Sequence, residues 1–159
     1  MNEPGNCNRD TRLALSFRLM GVNDLGSVLL IENEAHSHPW SRQNFQDSLQ
    51  AGHECWVAEF EKQITAYAIA SCGGGDAELL NIAVARSMRR EGIGRTLLEF
   101  VITQVESNSE TLFLEVRSSN ASAIELYHNL GFNEVGVRSN YYPGKKHRED
   151  ALILAKPLL

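Results

Sequence analysis

The residues Arg89-Arg90-Glu91-Gly92-Ile93-Gly94-Arg95 have the types and spacing to hold a pyrophosphate. They lie between an apolar, strand-like segment (Leu79 to Val84) and an amphipathic, helix-like one (Ile93 to Val105). Glycine lets backbone approach a ligand closely. A helix that starts there aims unpaired N–H groups and the positive end of its dipole at an anion. Arginines at 89, 90 and 95 add charge. The spacing is not the G-x-G-x-x-G of a dinucleotide fold, and no G-x-x-x-x-G-K-[ST] loop is present. The plain alternative is a surface loop that caps a helix, with its arginines solvated.

Three further polar residues lie in well-patterned segments. Glu115 belongs to Leu112-Phe113-Leu114-Glu115-Val116-Arg117. Alternation puts the leucines and Val116 on one face and Phe113, Glu115 and Arg117 on the other. Read plainly, Glu115 is a strand carboxylate paired with a neighbouring arginine. Tyr127 would be an aromatic anchor for a short helix, and Asn120 would cap that helix.

The 159 residues fit one domain, with a tail over 1–12 and a globular part over 13–159. The tail is almost free of apolar residues, which argues against a signal peptide. At 43% hydrophobic and 22% charged, the chain has enough apolar residues for a core. A net charge of −5 argues against nucleic-acid binding and suits a basic peptide or protein partner. Cys7, Cys55 and Cys72 are odd in number and form no C-x-x-C pair. This argues against a disulfide framework or a zinc site and fits a reducing, cytoplasmic setting. The histidines show no metal spacing beyond His36-x-His38, so no metal is expected. No apolar run approaches the ~18 residues of a membrane span.

Elements follow from period and punctuation. A strand is expected from Leu13 to Leu19, then a helix over Val22 to His36. Pro39 breaks that helix, and Ser41 can cap the next, which carries Phe45 and Leu49. Strands follow at Cys55–Phe60 and Ile64–Ser71, with Glu61-Lys62-Gln63 as their turn. Gly73-Gly74-Gly75-Asp76 reads as a loop, and Glu78 to Val84 as the fourth strand. A helix from Ile93 has Leu97, Val101 and Val105 at intervals of four. Thr111–Arg117 is a strand, and Asn120–Leu130 a short helix ended by Gly131. Phe132–Tyr142 and Glu149–Lys156 close the chain as two strands. This mixed order predicts an α+β fold, a mixed sheet of about seven strands flanked by about four helices.

Arg89-x-x-Gly92-x-Gly94 after the fourth strand, in this order of elements, resembles the GCN5-related N-acetyltransferases, whose pattern is Q/R-x-x-G-x-G/A. The resemblance runs from Leu13 to Leu158. Ala35-His36-x-x-Pro39-Trp40-Ser41, Asn81-Ile82-Ala83-Val84, Leu114-Glu115-Val116-Arg117, Ser119-Asn120-Ala121, Leu126-Tyr127-x-x-Leu130-Gly131-Phe132 and Asn140-Tyr141-Tyr142-Pro143 are similar to the RimI type. That bacterial group acetylates the N-terminal alanine of a small-subunit ribosomal protein.

The resemblance implies a sheet splayed in its middle and acetyl-CoA as co-substrate, with no metal. Backbone of Ile82, Ala83 and Val84 would bond the pantetheine arm like an added strand. Arg90, Glu91, Gly92, Ile93, Gly94 and Arg95 would surround the pyrophosphate, and Asn120 would touch the cofactor. Glu115 matches the position of a general base, and Tyr127 that of a general acid. Pro39-Trp40 and Tyr141-Tyr142 would flank the acceptor groove. The implied partner is a protein N-terminus, whose amine would attack the thioester directly in a ternary complex; with no coiled coil or apolar patch in the sequence, a monomer is expected. Acetylation of lysine side chains or a small amine is the alternative acceptor chemistry. A non-catalytic acetyl-CoA-binding module is the alternative class, and it would need neither Glu115 nor Tyr127.

Overall fold

Apolar alternation and four-residue spacing resolve into seven strands and four α-helices in the computed structural model, which describes residues 14–159. The proposed tail and Leu13 lie outside the described residues. In chain order the elements are β1 (Ser16–Leu19), α1 (Leu25–Ala35), α2 (Arg42–Gln50), β2 (Glu54–Phe60), β3 (Gln63–Gly73), β4 (Asp76–Val84), α3 (Ile93–Val105), β5 (Thr111–Arg117), α4 (Ala121–Asn129), β6 (Asn133–Tyr142) and β7 (Glu149–Pro157). Short 3₁₀ turns occupy Val22–Asp24 and Arg86–Met88. The sheet order is β1-β2-β3-β4-β5-β7-β6. β4 and β5 run parallel, and their pairing extends from Asp76–Thr111 to Leu79–Leu114. This is the expected α+β architecture, a mixed seven-stranded sheet with its splay at β4 and β5. No helix among the described residues is long and apolar enough to cross a membrane.

Contacts divide the chain into two compact units. Among the described residues, one takes 14–70 together with Asn81–Val101, the other Ser71–Leu80 with Ile102–Leu159. The division cuts β3, β4 and α3 along their lengths.

In the first unit, α1 buries Leu25, Val28 and Ile31, and β3 buries the run Ala66 to Ala70. The α3 residues Ile93, Leu97, Leu98 and Val101 are buried too. Phe100 stacks on Phe17 with ring centroids 4.4 Å apart and meets Trp56 edge-on at 4.8 Å. The β2–β3 turn is Glu61-Lys62, both left-handed at φ 51° and 64°. Two left-handed residues make the tight hairpin turn that matches strand twist, so Gln63 pairs with Phe60 in the strand and not in the turn as expected. Ala58 faces Ala66 while Glu59 faces Ile64, which leaves Thr65 as a bulge. Its hydroxyl donates to the Ala58 carbonyl at 3.3 Å, and its carbonyl accepts from the Ala85 N–H at 2.8 Å.

In the second unit, Leu112, Leu114 and Val116 are buried along one face of β5, as alternation requires. Glycines 74 and 75 alone form the β3–β4 turn, so Gly73 and Asp76 are strand residues and the loop is shorter than expected. Tyr127 and Phe132 pack edge to face at 5.7 Å. Gly131, at φ 93°, ends α4 in the left-handed conformation that favours glycine.

Two helix starts carry the side-chain caps read from the sequence. The Ser41 Oγ accepts from the Asn44 N–H at 3.2 Å, and Asn120 Oδ1 from the Ala123 N–H at 3.3 Å. Ser41→Ala should therefore lower unfolding free energy by about 1 kcal/mol. In urea titrations this would appear as a lower midpoint with an unchanged slope.

Candidate active site

The anion-binding candidates belong to the first unit. Helix α3 opens with a bond from the Thr96 N–H to the Gly92 carbonyl at 3.1 Å. Helix geometry leaves the amides of Ile93, Gly94 and Arg95 without intrahelical acceptors. A glycine at position 92 has no side-chain oxygen to cap them, unlike the serine and asparagine that open α2 and α4. Arg90 and Gly92 are left-handed, at φ 64° and 77°. A side chain added at Gly94 would meet only Val84 Cγ2, at an ordinary 3.5 Å. The protein's own packing therefore does not demand glycine there. The Arg95 side chain turns away to Glu99 at 3.0 Å, while Arg89 Nε reaches the Val84 carbonyl at 3.4 Å. Of the strand residues, Ala83 is buried, and Ile82 and Val84 are half-buried. They follow the point where the β4–β5 ladder ends, so their backbone groups on that side need other partners. Amides at a helix start and an unladdered strand end fit a diphosphate and an amide-bearing arm.

The acid–base candidates belong to the second unit. Glu115 lies opposite Ile153 of β7 and forms an ion pair with Arg138 Nε at 2.6 Å. The paired-carboxylate reading of the sequence is thus present in the structure. Arg138 is half exposed, and ion pairs this open contribute about 0–1 kcal/mol. An arriving cation can compete for the carboxylate. Beside the pair lies a cavity of about 390 Å³ whose lining includes Ser71, Asp76, Glu78, Glu115 and Arg138. Tyr127 is 7% exposed, and burial, with a smaller contribution from Tyr142, pushes its phenol up to about 12. Like any phenol it holds its proton at neutral pH and can donate it in a hydrogen bond. Asn120 caps α4 as described.

Tyr142, which the sequence reading set with Tyr141 beside the acceptor groove, is half-buried at the end of β6. Its phenol is also pushed up to about 12, by burial first, then by Glu115 and Tyr141, against the opposing pull of Arg117 and Arg138. Tyr142 is thus an electrostatic neighbour of both Glu115 and Tyr127. The Arg117 guanidinium sits over its ring at 4.5 Å and donates to the Pro143 carbonyl at 2.9 Å. Arg138 is the residue that the sequence reading missed. Its pairing with Glu115 depends on the β5–β7–β6 register, and β6 shifts register between Glu134 and Gly136 and again between Arg138 and Tyr142. No local pattern encodes those shifts; the nearest sequence signal is the Tyr141-Tyr142 pair. Among the described residues, no group of three or more His, Cys, Asp or Glu side chains is placed to hold a metal.

The profile of the Acetyltransferase (GNAT) family matches residues 25–132. The chain belongs to the GNAT acetyltransferases. It is 43% identical, over 86% of its length and 93% of the relative's, to the [ribosomal protein bS18]-alanine N-acetyltransferase of Escherichia coli K12. It is 39% identical to the enzyme of the same name from Haemophilus influenzae, over 83% of this chain and 91% of that one. The crystal structure of the Escherichia coli ribosomal-protein-S18-alanine N-acetyltransferase superposes with a TM-score of 0.86 at 40% identity, covering 91% of this chain and 94% of that one. Members of the GNAT family use acetyl-CoA.

Gly92→Ala places a side chain in a left-handed position and should cost about 1 kcal/mol of stability. It should also weaken acetyl-CoA binding, measured by calorimetry. Burial of Tyr127 and Tyr142 makes a second prediction. Both phenols are raised above their unfolded value of about 10, so their contribution to stability is complete below pH 10. It should be lost as pH rises through about 12. Tyr127→Phe should reduce that alkaline loss in denaturant melts recorded at pH 9 and pH 11.5.

Proposed function

We propose that this chain transfers the acetyl group of acetyl-CoA to the N-terminal alanine of ribosomal protein bS18. The extended likeness to the Escherichia coli enzyme of that name carries the reading. Helix-start amides at Ile93 to Arg95, with the turn over Arg90 to Gly92, would bind the diphosphate. Backbone of Ile82, Ala83 and Val84 would take the pantetheine arm, and Asn120 would add a contact while keeping its cap.

Acetyl-CoA supplies an activated acyl carbon, so the protein's task is to prepare the amine and the leaving sulfur. An α-amine has a reference pKa of about 7.7–8.0 and is mostly protonated at neutral pH. Glu115 is the proposed base, taking that proton directly or through water. The freed amine forms the new C–N bond as the C–S bond breaks. Sheet N–H groups would steady the oxygen that gains charge. Tyr127, a neutral phenol, is the proposed donor to the departing sulfur. Both substrates would be bound together, and no acyl-enzyme is required. Asp76, Glu78 and Glu115 around the cavity favour a basic acceptor segment.

Glu115→Gln and Tyr127→Phe should each lower kcat by about 10²–10⁴. Acetyl-CoA affinity should change little. Full turnover in both variants would remove these roles. The acceptor is tested by mass shifts after incubation with acetyl-CoA and two peptides. One begins with free Ala-Arg and lacks lysine; the other has a blocked N-terminus and an internal lysine. A single acetyl addition on the first alone is expected. Reaction of the lysine peptide alone would overturn the acceptor; no reaction with either, while acetyl-CoA still binds, would point to a small amine, a specific protein acceptor or a non-catalytic binding module.

A further inference from the structure

Glu32 on α1 is 1% exposed and takes no part in the chemistry above. A buried carboxylate is strongly unfavourable unless its oxygens are satisfied. Here they are. Oε1 accepts the backbone N–H of Trp40 at 3.0 Å and lies 3.5 Å from His36 Nδ1. Oε2 accepts the Tyr67 hydroxyl and, at 3.0 Å, the Asn81 side-chain amide. These partners come from three places: the connection between α1 and α2, strand β3 and strand β4. All belong to the first unit.

The positions matter more than the number of bonds. Trp40 lies in the segment 36–41 that contains Pro39 and precedes α2. Asn81 immediately precedes Ile82, the first residue proposed to meet the pantetheine arm. Trp40 is also held through its ring, 5.2 Å from Phe45, which meets Tyr67 edge-on at 5.5 Å. The Tyr67 hydroxyl returns to Glu32 and closes the circuit. If Glu32 served stability alone, apolar packing of similar volume would serve as well or better. A carboxylate that accepts from both the connection and β4 fixes one to the other.

We propose that Glu32 is a positioning residue that locks the 36–41 segment to the end of β4 and so sets how well the acceptor is held. This rests on the functional reading above, in which that segment flanks the acceptor and β4 holds the donor's arm. Glutamine at this position keeps the shape but has one oxygen. Its –NH₂ must face the donors of either Trp40 or Asn81, so one of the two ties is lost.

Glu32→Gln should raise KM for the Ala-Arg peptide about tenfold, with kcat and acetyl-CoA affinity within about twofold of wild type. A lower melting temperature with an unchanged acceptor KM would reduce Glu32 to a structural role and overturn the proposal. Equal weakening of acceptor and acetyl-CoA would overturn it too. A second measurement needs neither a folded variant nor turnover. In the wild-type protein the Trp40 amide should exchange with solvent about 100-fold more slowly than those of Ser37 and His38. Equal rates would overturn the lock whatever the acceptor is. Slow Trp40 exchange in a protein that acetylates neither peptide would instead keep the lock and reject the acceptor.

Discussion

The parallel ladder between β4 and β5 ends at Leu79–Leu114, and the proposed chemistry begins where it ends. Backbone polar groups inside a protein must find partners. Beyond Leu79, β4 loses the neighbour that would supply them on one side. Other bonds hold this stretch of chain without supplying that missing side. Ala85 bonds a bulged strand residue, and Asn81 bonds a buried carboxylate. What is left over is a stretch of strand able to bond something that is not protein. The helix that follows starts after Gly92, which has no side chain to cap its first amides. The end of one ladder and the start of one helix thus supply the two halves of the proposed donor site.

Several residues serve two purposes that looked like rivals in the sequence. Asn120 caps α4 and is also proposed to touch the cofactor. Glu115 is ion-paired, as its plain reading had it, yet an exposed arginine is a weak competitor for a carboxylate. Tyr127 anchors its helix against Phe132, and the burial that makes it an anchor also extends upward the pH range over which its phenol stays neutral. In each case packing creates the environment that the chemistry would use.

The sequence made α3 and β5 legible to the residue, because each has a strong period between clear breaks. The caps at Ser41 and Asn120 were legible for the same local reason. Turns were less so. Glu61 and Lys62 are not the residues that usually adopt left-handed conformations, so the hairpin looked one residue longer than it is. Gly73 looked like loop because it adjoins two turn glycines. The first helix was expected to begin at Val22, where a 3₁₀ turn precedes the α-helix at Leu25. The pairings of Arg138 with Glu115 and of Glu32 with Asn81 span 23 and 49 positions (138 − 115 and 81 − 32) and follow only from assembled register. Local pattern carries no information at that range.

The bulge at Thr65 has a mechanical consequence. An extra residue in β3 turns its carbonyl to Ala85, just past the strand end that has lost its β5 ladder. That end is thereby clamped from one side instead of hanging free. A stiff wall keeps its spacing whether or not a guest is present, so little chain entropy is lost when an extended arm is laid along it. The cost of ordering the wall has been met in advance, by the folding of a neighbouring strand.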